Sequence, residues 1–126
     1  MSRQILVVTH GRVGEELAEL AEQLLGPLPD LESLAIASKD SLESISARMQ
    51  KWAGRLGPGR RGLVLTDLKN SSASVCALGL AKKYSVDCVC GVNLPLLLKA
   101  LSPVDPALDE IVSAGRVGID VVGKLR

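Results

Sequence analysis

Apolar and polar positions follow two rhythms along this chain. Gln4 to Val8 is a short apolar run, as expected of a strand buried on both faces. Val13, Leu17, Leu20, Ala21, Leu24 and Leu25 then recur at helical spacing and define one expected buried face. Gly26-Pro27 stops that helix, and Leu31 to Ala37 reads as a second strand. Asp40, with Glu43 three residues on, forms a candidate capping box. It opens a helix whose apolar face is Leu42, Ile45, Met49, Trp52 and Leu56, broken at Gly57-Pro58-Gly59. Gly62 to Thr66 is a third strand, ending at Asp67. The pattern predicts a helix from about Ser72 to Tyr84 and a fourth strand from Val86 to Cys90. Asn93-Leu94-Pro95 opens another helix, with Asn93 as its cap and Pro95 in the first turn, where a missing N–H costs little. The last helix is expected from about Ala107 toward Val122.

Strands thus alternate with helices, and each connection is long enough for a right-handed crossover. The expected fold is α/β: a doubly wound, mostly parallel sheet of four to five strands, in three α/β/α layers, within a single domain over residues 1–126. The common strand order for such a sheet is 2-1-3-4, which reverses between strands 1 and 3. Ligands bind outside the carboxyl ends of strands at such a reversal. Thr9-His10 follows strand 1 and Asp67 follows strand 3, so this topology sets the chain's one histidine beside a carboxylate. Two helices also begin there, after Gly11 and near Ser72, and their free N–H groups suit a phosphoryl group.

Composition narrows the chemistry. The chain has no Phe, one Trp and one Tyr, which argues against stacking on nucleic-acid bases. A net charge of +1 with mixed signs offers no electrostatic case for nucleic acid or a membrane surface. No apolar stretch approaches the ~20 residues of a bilayer span, and no signal peptide is visible, so a cytoplasmic protein is expected. There Cys76, Cys88 and Cys90 stay reduced. Cys88 and Cys90 share a strand face without a second ligand pair, which favours packing over a metal site. Gly57 to Gly62 matches G-x-G-x-x-G but follows a helix and precedes a strand, the reverse of a dinucleotide site. No P-loop is present, and neither metal nor cofactor is expected.

Taken singly, His10 reads as a polar rim residue and Asp67 as a loop acid or helix cap. Together they read as a site. An Asp accepting from Nδ1–H fixes the tautomer and leaves the Nε2 lone pair outward. An oriented neutral imidazole is a nucleophile, and with phosphorus as the electrophile the product is a phosphohistidine. Amides from Asn70 to Ala73 and the hydroxyls of Ser71 and Ser72 would meet the new charge. Arg12 reads either as a further anion contact or as a solvated charge.

Three segments carry a family resemblance. ILVVTHGRVGEELAELAEQLLG, LVLTDLKNSSASVCALGLA and CGVNLPLLLKAL, in that order, resemble the IIA domain of the mannose-type phosphoenolpyruvate-dependent sugar phosphotransferase system. The resemblance implies that His10 accepts a phosphoryl group from the phosphocarrier HPr and passes it to a separate IIB component. It makes Asp67 the acid that partners the histidine and Ser72 the serine of the phosphate-cradling turn; with the reading of the residues, the expected phosphate contacts are Gly11, Ser71 and Ser72. Asn93 and Pro95 match a third motif near the edge of the site. It further implies a homodimer, not inserted in a membrane but able to sit beside membrane IIC/IID components. Where the family commonly has Trp-Gly-Gly-Ser-Pro, this chain has Lys69-Asn70-Ser71-Ser72-Ala73, and the strand that the family often exchanges between subunits is expected to be short or absent here. Two alternatives share the histidine: a regulatory module that reports phosphorylation state without feeding transport, and the phosphocarrier subunit of a dihydroxyacetone kinase.

Overall fold

Ile5 to Val8 and Leu63 to Leu65 are almost wholly removed from solvent, which is why both runs read as continuous rather than alternating. In the computed structural model, which describes residues 3–125, they are the two central strands of a parallel sheet. The elements are β1 (Gln4–His10), α1 (Val13–Leu25), β2 (Leu31–Ile36), α2 (Leu42–Ala53), β3 (Gly62–Thr66), α3 (Ser72–Ala81), β4 (Val86–Cys90), α4 (Leu94–Ala100) and α5 (Leu108–Val117). Four strands pair in the order β2-β1-β3-β4, so the expected topology holds, with four strands among the described residues. No helix among these residues is long and apolar enough to cross a membrane.

Successive strand residues point to opposite faces and so divide the core in two. Leu6, Val8 and Val64 pack with Ile45, Met49, Trp52, Ala77 and Leu80 under α2 and α3. Ile5, Val7, Leu63 and Leu65 pack with Ala21, Leu96, Leu97 and Ile111 under α1, α4 and α5. Close approaches fix these layers. A Cβ at Gly14 would lie 3.0 Å from both Thr9 Oγ1 and Val7 Cγ1, so α1 seats against β1 only because residue 14 has no side chain.

Several local expectations need correction. The cap of α2 is Ser41, whose hydroxyl accepts from Ser44 N–H; Asp40 instead accepts from Ala37 N–H and closes the preceding turn. Helix α3 stops at Ala81 rather than Tyr84, because the amides of Lys83 and Tyr84 both converge on Leu80 O. Helix α5 ends at Val117, and Ile119, Val121 and Val122 beyond it are exposed, with no packing partner to hold another turn. The largest departure is in α1. Gly14 and Ala21 are buried, but Val13, Leu20, Leu24 and Leu25 are exposed.

Candidate functional site

Strand β1 continues two residues past its apolar run and ends at His10, which pairs with Ile36 of β2. On its other side, β1 pairs with β3 through Val8 and Thr66, so the residues after Thr66 and the end of β1 meet at one edge. The topology therefore brings His10 and Asp67 together, as expected. Asp67 Oδ2 lies 2.9 Å from His10 Nδ1 and also accepts from His10 N–H at 2.9 Å. Its other oxygen accepts from Leu68 N–H at 2.9 Å. The imidazole side chain is 50% exposed, while the carboxylate is 19% exposed. Partial burial pushes the Asp67 carboxyl upward, but the hydrogen bonds and charge of His10 together with the Leu68 amide outweigh it, and the net result lies below the ordinary value. An anion held this way accepts the Nδ1 proton and leaves Nε2 as the outward nitrogen.

The two helix starts near this pair are not equivalent. At α1 the amide of Gly14 is taken by the buried Thr9 hydroxyl at 2.7 Å. Glu15 and Glu16 occupy the first turn and pair with Arg12. Gly11 has a φ of 56°, a turn conformation that glycine tolerates, and its N–H donates to Ile36 O at 2.9 Å. It shapes the loop, and its amide is engaged by β2. At α3 the first turn has no acidic residue. Ser71 is the cap: its hydroxyl donates to Leu68 O and accepts from Ser74 N–H, so it is engaged within its own loop. The Ser72 hydroxyl has no partner among the described residues, and the amides of Asn70, Ser72 and Ala73 have no acceptor there either.

One contributor escaped the sequence reading. Ser74 Oγ lies 2.7 Å from Thr66 Oγ1 and donates to Leu68 O, tying the 67–71 loop to the end of β3. The recognisable signal is a serine three residues after the Ser71 cap. Asn93 caps α4 as expected, its oxygen accepting from Leu96 N–H; the addition is that its amide donates to Gly115 O, clamping α4 to α5. Pro95 occupies the first turn of α4 as expected.

The model of a family described as the PTS system fructose IIA component, EIIA-man, matches residues 4–114. The chain belongs to that family. It is 27% identical to the PTS system mannose-specific EIIAB component of Escherichia coli strain K12 over 94% of its own length, and it spans 39% of that relative. Among solved structures, the PTS IIA protein associated with the fucose utilization operon from Streptococcus pneumoniae is 27% identical. That likeness has a TM-score of 0.86 and covers 97% of this chain and 94% of that one. The mannose/sorbose-specific IIA subunit from Enterococcus faecalis shares the fold at a TM-score of 0.88 and 22% identity, over 100% of this chain and 98% of that one.

As a IIA component, the chain is part of a phosphotransferase system, and the form of its site is informative. The hollow beside β4 and α5, about 370 Å³ and lined by Cys90, Asn93, Leu96, Arg116 and Ile119 among others, includes neither His10 nor Asp67. The chemistry is read from the hydrogen-bonded pair on the open rim, not from that hollow. An imidazole half exposed on the rim is not enclosed as a small-substrate site would be.

Proposed function

We propose that this protein is a phosphocarrier. His10 takes a phosphoryl group from phospho-HPr and delivers it to a IIB component, in the cytoplasm. In the first step the Nε2 lone pair forms the new P–N bond while the donor's P–N bond breaks and its electron pair returns to the donor imidazole. The observation that carries this reading is the contact of 2.9 Å between His10 Nδ1 and Asp67 Oδ2. It orients the ring, and the carboxylate offsets the positive charge the ring acquires on attack. The amides of Ser72 and Ala73 and the Ser72 hydroxyl receive the phosphoryl oxygens at the start of α3.

The reading extends to a homodimer. Among the described residues strand β4 pairs only with β3, so its outer backbone groups lack a strand partner there. The exposed apolar residues Ile119, Val121 and Val122 follow α5, whose Arg116 lines the hollow beside that edge. A second copy that contributes this segment satisfies both features.

The test is incubation with phosphoenolpyruvate, enzyme I and HPr. Wild type becomes labelled with an acid-labile phosphoryl group and His10→Ala does not. An unlabelled wild type, or a labelled His10→Ala, refutes the assignment.

A further inference from the structure

Arg3 is a buried cation at the end of the sheet opposite His10. It stands just before β1 and is 7% exposed, yet no carboxylate among the described residues comes within ion-pair distance of its guanidinium. Asp30 pairs with Arg60 at 3.5 Å and accepts from Gln4 Nε2 at 2.9 Å. Asp105 accepts from the backbone N–H of Arg3 at 3.3 Å, not from its side chain. The guanidinium makes one hydrogen bond, from Nη1 to Pro106 O at 2.7 Å. Nε is closed to water and has no partner among the described residues, and Nη2 has none there either. Arg3 lines a hollow of about 160 Å³ between the α1–β2 turn and the α4–α5 loop, with Leu28, Pro29, Leu101, Ser102 and Asp105 among the residues of its wall.

We propose that this hollow binds a small monocarboxylate, with its carboxylate on Arg3 and a short alkyl group against Leu28, Pro29 and Leu101. Energy carries the inference first. A buried charge without a counter-charge is costly, and an orphaned N–H adds its own desolvation. Holding the Pro106 carbonyl does not account for that cost, because a neutral donor would make the same bond. Geometry carries it second. Nε and Nη2 form one edge of the guanidinium, and two parallel donors on one edge match the two oxygens of a carboxylate. Volume limits the size: 160 Å³ holds about five waters at ~30 Å³ each, or a molecule of about six non-hydrogen atoms. Charge limits the class. Asp30 and Asp105 line the same hollow, so a dianion such as phosphate meets more repulsion there than a monoanion. Arg3 and His10 stand at the two ends of β1, about 23 Å apart at ~3.3 Å per residue, so this ligand does not compete at the phosphoryl site.

The experiment titrates sodium butyrate, the probe, into wild type, His10→Ala and Arg3→Met, with sodium chloride holding the ionic strength constant. Thermal unfolding and backbone amide NMR shifts are read on the same samples. At ten times its Kd, butyrate raises the wild-type midpoint by about 4–6 °C. The amide shifts saturate and cluster at residues 28–31 and 100–105. His10→Ala responds as wild type. Arg3→Met keeps an unbranched stem without the fork and binds butyrate at least roughly tenfold more weakly, the loss expected for a charged hydrogen bond; a smaller loss overturns the proposal. If Arg3→Met does not fold, the wild-type amide shifts decide alone. Saturable shifts at 28–31 and 100–105 support the site, and their absence, or saturation only around His10 and the start of α3, overturns it. Sodium phosphate bound at 28–31 and 100–105 as tightly as butyrate overturns the monocarboxylate assignment.

Discussion

Replacing Asp67 by asparagine separates the electrostatic role of this side chain from its structural one. The carboxylate accepts three hydrogen bonds: from His10 N–H and Nδ1 on one oxygen, and from Leu68 N–H on the other. An asparagine keeps one acceptor and turns the other position into a donor. The less costly orientation keeps the oxygen toward His10 and sets the NH2 group against Leu68 N–H, which is exposed enough to bond water. The folded state then loses about one ordinary hydrogen bond, roughly 1 kcal/mol. The transfer step loses more. When Nε2 attacks phosphorus the ring becomes cationic, and a neutral amide no longer offsets that charge. A charged hydrogen bond is worth about 1.5–3 kcal/mol, which corresponds to a rate reduction of roughly 10- to 150-fold. The other orientation, with NH2 toward the ring, also imposes the wrong tautomer and lowers the rate further. Rapid-quench measurement of His10 labelling by phosphoramidate, beside urea unfolding of the same preparation, reads both quantities. An Asp67→Asn protein that is labelled within threefold of wild type would show that the carboxylate does not offset charge in the reaction.

Four other outcomes follow from the same coordinates. The folded Asp67 carboxyl lies below its ordinary value of 3.8, so the folded state releases this proton more readily than the unfolded chain. Its stabilisation is complete above the unfolded value and is lost as pH falls through the depressed one; unfolding titrations below pH 4 should be steeper for wild type than for Asp67→Asn. Gly14→Ala gains helix propensity but drives its Cβ against Thr9 and Val7, both fully buried, so thermal unfolding should show a net loss of about 1–2 kcal/mol. Ser71→Ala removes a helix cap and should cost about 1 kcal/mol, whereas Ser72→Ala should leave stability unchanged and slow His10 labelling. Light scattering should find wild type as a dimer and Val121→Asp shifted to monomer; a Val121→Asp dimer as tight as wild type would remove this segment from the interface.

Periodicity and topology made the His10–Asp67 pair legible because each follows an apolar strand and because the order 2-1-3-4 makes those strands neighbours. Neither residue needed its contacts to be known. What could not be read was the disposition of individual donors. Gly11 and Ser71 read as phosphate contacts, yet the Gly11 amide is used by Ile36 O and the Ser71 hydroxyl by its own loop, and such bonds depend on angles that no spacing encodes. The capping-box pattern failed for a similar reason. Asp40 and Ser41 both suit a cap, and the turn formed by Ala37 N–H and the Asp40 carboxylate decides between them.

The error in α1 has a different origin. A helical repeat of apolar residues reports that some partner covers that face, and it does not say whether the partner lies in the same chain. The strip that the sheet and α4 cover is narrow, centred on Gly14 and Ala21, while the apolar set runs wider, through Val13, Leu20 and Leu24. Polar residues at those three positions would cost the fold little, since none of them is buried. Their apolar character is therefore explained by something the isolated chain does not contain. The excess begins three residues after His10 and runs to the end of α1, and that position is the physical ground for seeking a partner on this face rather than a flaw in the core.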